Sequence, residues 1–329
     1  MVRDEVLRAL ESHRGQLISG GALARELGVS RTAVWKAISS LREAGFPIES
    51  VFGEGYYLAE DSDALSEAGI ALGLQTETLG RTLYVFSEID STNNYIKQRA
   101  ASLSDGCAVI ADCQTAGRGR LGRSFFSPPG SGIYISLLLQ PTLPLEQINM
   151  ITVGAAVAMC EAIAETADFT PDIKWVNDVL MNGKKLCGIL TEAAVEAETG
   201  SLSYVVVGIG INIRRPQEDV PEEIRDIAGF IEDYAPHPVR RNEFIASFLN
   251  HMESCYKLIC AGDTAALIDR YRSFIHFLGQ PITVIRNGER TPATAVAIDP
   301  QGHLIIEQNG KQSTLFAGEI SIRLPEQAQ

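Results

Sequence analysis

The chain has 329 residues, 45% of them hydrophobic and 21% charged, and carries a formal net charge of −13. A soluble protein of this length divides into two or three domains, and so much negative charge excludes generic nucleic-acid binding, which depends on neutralising phosphates. The acid-bearing start Met1-Val-Arg-Asp-Glu-Val lacks an apolar signal core and no stretch reads as a membrane span, so the expected setting is the cytoplasm, with no membrane partner.

The first sixty residues are the exception to the acidity. They hold seven Lys/Arg and eight Asp/Glu, a net of −1 that leaves −12 for the remainder. Any DNA contact therefore belongs here. Residues 4–12 read as a short helix carrying Val6, Leu7 and Leu10, and residues 22–27 as a second, stopped by Gly28. Ser30 caps a third helix over residues 31–44, closed by Gly45. Val34, Ala37, Ile38 and Leu41 share one face of it, and Thr32, Lys36, Ser39 and Glu43 the opposite one. Trp35, on the flank, is expected in the core. Helix, tight turn and helix across residues 20–39 form a helix-turn-helix pattern, with Arg31, Thr32, Lys36 and Ser39 as candidate DNA contacts. Phe46 to Phe52, a Gly53-Glu-Gly55 turn and Tyr56 to Leu58 predict a hairpin, the wing of a winged helix. A three-helix packing module without a DNA role is the alternative.

An acidic linker (residues 59–65) and a helix (66–74) lead into a second module. Strand-like runs at 82–86, 109–111, 133–139 and 204–211 alternate with helical ones at 91–100 and 145–166, and helices over 242–261 and 263–274 close it. This pattern predicts an α/β domain built on a mixed sheet. From residue 277, short strands punctuated by Asn287-Gly288 and Asn309-Gly310 predict a small β-barrel. The expected domains are residues 1–62, 63–275 and 276–329. The six cysteines include no C-x-x-C pair and no zinc spacing, so no dedicated metal site is expected.

Residues 114–123, Gln-Thr-Ala-Gly-Arg-Gly-Arg-Leu-Gly-Arg, place three arginines and three glycines, without an acid, in this acidic chain. Glycines let the backbone approach a ligand closely, and arginine offers a planar fork of donors for carboxylate or phosphate. Gly117-x-Gly119-x-x-Gly122 also matches a dinucleotide fingerprint, but Pro128 and Pro129 follow soon after and no helix can open there. Other motifs supply polar groups at element ends. Ser91, Thr92 and Asn93 sit at a strand-to-helix junction, where free N–H groups are available. Lys174-Trp-Val-Asn-Asp178 leads to a tight turn at Asn182-Gly183. Lys184-Lys-Leu-Cys-Gly188 opens a strand, so one lysine of the pair must face the site, and Gly208-Ile-Gly-Ile-Asn212 ends another strand with an amide.

Together, G-R-G-R-x-G-R followed by F-S-P, then K-W-x-N-D and K-x-x-G-I-L, resemble the biotin–protein ligases, specifically the bifunctional class that also represses the biotin operon. The resemblance covers nearly the whole chain. It implies a biotin/lipoate-ligase catalytic domain between an N-terminal winged helix and a C-terminal SH3-like barrel. It implies activation of biotin by ATP with Mg2+ to biotinoyl-5′-AMP, and transfer of biotin to a lysine of the biotin carboxyl carrier protein. It further implies an adenylate-bound homodimer on operator DNA. Biotin binding is expected at Ser91, Thr92, Asn93, Gln114, Gly117, Arg118, Gly119, Arg120, Lys185 and Gly188. Adenylate contacts are expected at Arg118, Arg120, Arg123, Asn177, Lys185 and Asn212. Lys185, Arg118, Arg120 and Asp178 are the expected catalytic set, with Asp178 either orienting or deprotonating the acceptor amine, or holding Lys185 and the loop. Val176 stands where the family usually has proline and Phe125 where tryptophan is common. The segment 214–224, which usually folds over the adenylate, is charged here, leaving Val220 or Ile224 for apolar contact. A lipoate–protein ligase, or a ligand-sensing transcription factor without ligase activity, are the alternatives.

Overall fold

The structure is a computed structural model that describes residues 2–196, 198–286, 288–316 and 320–323. The chain forms two compact units, Met1–Leu74 with Arg240–Ala246, and Gln75–Val239 with Ser247–Gln329.

In the first unit α1 (Val2–Ser12), α2 (Gly20–Glu26) and α3 (Arg31–Glu43) precede a hairpin of β1 (Ile48–Val51) and β2 (Gly55–Leu58), and α4 (Glu67–Gly73) follows. Ser30 Oγ accepts from the Ala33 N–H at 3.1 Å, as expected for the cap of the third helix. The second helix starts earlier than predicted because Ser19 caps it, accepting from the Ala22 N–H at 3.0 Å. Gly28 (φ 64°) and Gly45 (φ 88°) end their helices in the left-handed region. Val6, Leu10, Leu23, Val34, Ile38, Leu41, Ile48 and Leu58 form one buried cluster.

Trp35 departs from expectation, being 58% exposed. Val34 and Ile38 already fill the inward face, and the next position after Val34 turns about 100° around the axis and out of the cluster. The acidic segment expected as a linker is also tied down. Asp63 takes the Arg241 backbone N–H at 2.9 Å and its guanidinium at 2.6 Å, while the Asn242 amide accepts from the Ser66 N–H at 3.1 Å.

The second unit is built on a seven-stranded mixed sheet of β3 (Leu83–Ile89), β4 (Ala108–Gln114), β5 (Gly132–Leu139), β6 (Asp172–Lys174), β7 (Asp178–Met181), β8 (Lys184–Val195) and β9 (Leu202–Asn212). The order is β3-β4-β5-β9-β8-β7-β6, with β3 and β4 parallel and the other neighbours antiparallel. Asn182 (φ 50°) and Gly183 (φ 75°) make the tight turn predicted between β7 and β8. Helix α5 (Thr92–Arg99) packs on β4, β5 and β9, and α6 (Ile148–Ala167) on β6 to β9. Residues 145–167 are long and apolar enough to cross a membrane by length and composition alone, but they are mostly buried within the fold, as a core helix is. They are apolar on every side until the last turns, where Glu161 and Glu165 emerge, because α6 is enclosed, with sheet on one flank and α9 on another. The short α7 (Glu222–Arg225), α8 (Arg241–Ala261), whose first turn belongs to the other unit, and α9 (Thr264–Ser273) complete the helices.

Five strands make the SH3-like C-terminal barrel: β10 (Pro281–Arg286), β11 (Glu289–Ile298), β12 (Leu304–Gln308), β13 (Lys311–Leu315) and β14 (Ile320–Arg323), ordered β13-β12-β11-β10-β14 and antiparallel throughout. The predicted turn at Asn309-Gly310 is present (φ 50° and 74°), whereas Asn287 of the other lies outside the described residues. The barrel is fastened to the sheet domain at Gly302, whose carbonyl accepts from the Trp175 indole at 3.0 Å. A Cβ on Gly302 would lie 2.8 Å from Val153, so only glycine fits without displacing α6.

Candidate ligand-binding site

A cavity of about 520 Å³ opens where β3 and β4 end and the arginine loop begins. All the residues predicted to touch ligand line it except Gly117. That glycine packs against the loop itself: a Cβ there would meet the Phe125 carbonyl and the Ser127 hydroxyl, each at 2.6 Å. Its role is to let the loop fold back, closed by the Phe125 N–H on the Gly117 carbonyl at 2.9 Å. No helix opens after Gly122, in keeping with the exclusion of a dinucleotide fold.

One end of the cavity is a cradle of hydroxyls and amides. Ser91 caps α5, and the Gln114 carboxamide oxygen accepts from the Thr92 N–H at 2.9 Å. Gln114 Nε2 reaches Ser127 Oγ at 3.2 Å, which fixes the orientation of the amide. Behind them Ser136 on β5 lies 2.7 Å from Thr92 Oγ1 and 2.5 Å from Asn93 Oδ1. Asn93 Nδ2 donates to Glu192 at 2.7 Å, and Lys97 Nζ to the same carboxylate at 2.9 Å. Burial by itself would raise the Glu192 carboxyl, but the Lys97 and Asn93 hydrogen bonds and the charges of Lys97 and Arg118 together hold it below the usual carboxylate range.

The floor is made of glycines. Gly188 on β8 pairs with Gly210 on β9, two residues along from Gly208. A Cβ on Gly208 would stand 2.2 Å from the Asn93 side chain, and one on Gly210 would stand 2.4 Å from the Phe125 ring. The strands therefore leave space in which Asn93 and Phe125 lie flat against the sheet. Phe125 meets the buried Tyr134 edge-on, with ring centroids 6.3 Å apart.

The other end is cationic. Lys185 Nζ is 2.6 Å from Asp178 Oδ1, an ion pair without hydrogen-bond alignment. Lys184 turns away to the Asp226 carbonyl at 2.6 Å, so the lysine that faces the cavity is Lys185. Arg120 donates to Asn177 Oδ1 at 2.7 Å, and Asn177 Nδ2 to the Ile189 carbonyl at 2.7 Å. Burial, helped by the neighbouring Arg123 charge and opposed by Asp178, lowers the Arg120 pKa. Asn212 gives its amide N–H groups to the carbonyls of Lys185 and Gly229, both at 3.1 Å, and so pins the segment that follows α7 along β8. Residues 220–230, α7 included, supply Val220, Ile224, Ile227, Ala228 and Phe230 as an apolar wall, the two expected residues among them.

Ser136, Glu192, Lys97, Gly208 and Gly210 were not singled out from sequence as site residues. The Gly-x-Gly spacing at 208–210, in an otherwise apolar strand, was the available signal. In period two, Glu192 also falls on the same face of β8 as Gly188 and Leu190.

Three family profiles match the chain: an HTH domain at residues 2–57, the Biotin/lipoate A/B protein ligase family at 85–212, and the Biotin protein ligase C terminal domain at 277–323. The chain is 34% identical over 322 residues to the bifunctional ligase/repressor BirA of Bacillus subtilis, covering 98% of both chains. The chain belongs to the bifunctional ligase/repressor BirA family. The Escherichia coli BirA is 33% identical over 319 residues, covering 95% of each. Among solved structures, the biotin protein ligase of Aquifex aeolicus in complex with biotin and ATP is 28% identical, with a TM-score of 0.64 over 74% of this chain and 99% of that one. Full-length coverage of the BirA relatives includes the winged helix, and it favours the ligase/repressor reading over either alternative.

Proposed function

We propose that the cavity binds biotin and ATP and makes biotinoyl-5′-AMP. The biotin carboxylate oxygen attacks the α-phosphorus and pyrophosphate leaves, with Mg2+ arriving on the triphosphate as part of the substrate. The acceptor lysine amine, having lost its proton, then attacks the acyl carbon and AMP departs with the bonding pair. The acceptor is the biotin carboxyl carrier protein of acetyl-CoA carboxylase. The observation that carries this reading is the polarity of the cavity: a hydroxyl and amide cradle suited to a ureido ring at one end, and Lys185 and Arg120 at the other.

Ser91, Thr92, Asn93 and Gln114 hold the ureido ring, and the glycine floor with Phe125 and the apolar wall receives the fused ring and valeryl chain. Lys185 and Arg120 neutralise the charge that builds between carboxylate and α-phosphate, and Arg120 together with Arg118 clamps the mixed anhydride, with Arg123 beside them. Asp178 holds Lys185 in position, its Oδ1 standing 2.6 Å from Lys185 Nζ. A carboxylate beside an incoming amine would favour its charged, unreactive form, which argues for orientation over proton abstraction.

Residues 1–62 bind operator DNA, residues 63–275 carry the chemistry and residues 276–329 form the barrel. Repression of biotin synthesis or uptake genes follows when the adenylate-bound protein dimerises and brings two α3 helices to paired half-sites. The protein works in the cytoplasm. Labelled biotin, MgATP and a carrier domain give a labelled carrier with the wild-type protein, and Lys185→Ala slows adenylate formation by about 10²–10³. An unimpaired Lys185→Ala refutes the assignment. Operator binding that is equally tight without biotin and ATP refutes the coupling.

A further inference from the structure

The hydrogen bonds behind the cradle have a direction that a proton count decides. Ser136 Oγ is fully buried and within reach of two oxygens, Asn93 Oδ1 at 2.5 Å and Thr92 Oγ1 at 2.7 Å, but has one proton to give. An amide oxygen accepts only, so the Ser136 proton goes to Asn93. The proton between Thr92 and Ser136 must then come from Thr92, because Gln114 Oε1, the other oxygen near the Thr92 hydroxyl at 3.1 Å, is already supplied by the Thr92 N–H at 2.9 Å, and the Thr92 oxygen is left facing the cavity with lone pairs. The whole sequence depends on which way the Asn93 amide is turned. Glu192 decides that, because an ionised carboxylate has no proton to donate and can face only the Asn93 nitrogen, 2.7 Å away. Lys97, 2.9 Å from the other carboxylate oxygen, supplies the compensating charge.

We propose that Glu192, held by Lys97, is a positioning residue that sets the hydrogen-bond polarity of the cradle through Asn93 and Ser136, so that Thr92 offers an acceptor to a ligand N–H. The inference rests on the biotin reading above and deepens it. A cyclic urea brings two N–H donors, and the relay makes Thr92 ready to accept one before the ligand arrives. With this polarity fixed, a ligand that presents a ring oxygen in place of that N–H meets lone pairs and is rejected.

Glu192→Gln tests the relay with little change of shape, because a carboxamide can donate as well as accept and releases Asn93 to turn over. The expected result is a biotin KM raised about tenfold, with kcat at saturating biotin, the ATP KM and the melting temperature close to wild type. In a Ser136→Ala background, where the relay is already cut, Glu192→Gln should add nothing further to the biotin KM. An unchanged biotin KM in the single variant overturns the proposal. An equal effect with and without Ser136 also overturns it, since Glu192 would then act by charge or packing alone. The underlying site reading fails separately: if the wild-type protein binds no biotin by calorimetry, or Thr92→Val binds it normally, this inference falls with it.

Discussion

Gly210→Ala is the sharpest probe of the cavity floor. The added Cβ would sit 2.4 Å and 2.5 Å from two carbons of the Phe125 ring. Carbon atoms in contact stay about 3.5–4.0 Å apart, so the ring must retreat by roughly 1.1–1.6 Å. Tyr134 stands edge-on to the ring and is buried, and a Cβ on Gly188 would already be 3.4 Å from its far side, so strand surface closes those directions. The open direction is the cavity of about 520 Å³. In the free protein the ring moves into empty space and little stability is lost. Bound biotin competes for that space and carries most of the overpacking cost, about 1–3 kcal/mol. The biotin dissociation constant should therefore rise roughly 5- to 150-fold by calorimetry. The melting temperature should fall by no more than a few degrees. Phe125→Leu added to Gly210→Ala should recover much of the affinity, since the smaller side chain removes the collision. Wild-type biotin affinity in Gly210→Ala, or no recovery in the double variant, would show that Phe125 does not form this part of the floor.

Trp35→Ala should weaken operator binding tenfold or more in a titration with biotin and ATP while leaving the melting temperature unchanged, because the exposed indole stands on the helix proposed to read DNA. A stability loss with unaltered operator affinity would return Trp35 to a packing role. Arg120→Gly removes the bond to Asn177 and half of the proposed anhydride clamp, so the adenylate should escape and label lysines on bystander proteins; retained carrier specificity in a blot would refute the clamp. His251 bridges Glu161 at 3.1 Å and Glu165 at 2.9 Å, with Arg270 also on Glu161. Its pKa is raised by the Glu161 hydrogen bond first, against burial, with Glu165 adding to it. The stabilisation is then fully present below the unfolded histidine value of about 6.5 and is lost as pH rises through the higher folded value. Melting curves from pH 6 to 9 should fall more steeply for wild type than for His251→Gln, and parallel curves would contradict the pairing.

Features that depend on neighbours in sequence were legible in advance. Ser30, Gly28 and Gly45 frame α3 because capping is a matter of three or four residues, and Asn182-Gly183 makes its turn for the same reason. The two cationic motifs that line the cavity were legible because arginines and lysines clustered in an acidic chain need a reason to be there. Trp35 was misplaced because periodicity gives an angle around a helix but not how far the buried face extends. The enclosed helix α6 has no continuous polar face for periodicity to detect, its charges being confined to the last turns. Ser136 and Glu192 were missed for a different reason. Their partners are set by the sheet, where Gly208 lies between Ser136 on one side and Leu190 on the other, and that register is absent from any local motif.

The two ends of the cavity differ in how they are held, and this bears on how one site can serve both catalysis and control. The cradle is carried by β5, β8, β9 and the first turn of α5, with Thr92, Asn93 and Ser136 buried and bonded to one another. Burial and mutual hydrogen bonds preorganise it, so that on the function proposed above it would select a ureido ring by shape and polarity. The cationic loop instead closes on itself, through the Gly119 N–H on the Arg123 carbonyl at 2.7 Å and the Phe125 N–H on the Gly117 carbonyl at 2.9 Å, and reaches the sheet domain through the Arg120 bond to Asn177. Leu121 within it is exposed and adopts φ 58°, a conformation a leucine rarely takes. A segment held mainly by its own bonds has a low opening energy and responds strongly to a bound anion. Biotin alone would fill the rigid end and leave the loop little changed, whereas the adenylate adds a phosphate that Arg118, Arg120 and Arg123 can share. On the function proposed above, the loop would separate a protein that has merely bound vitamin from one holding activated vitamin, which is the distinction a biotin-dependent repressor must make.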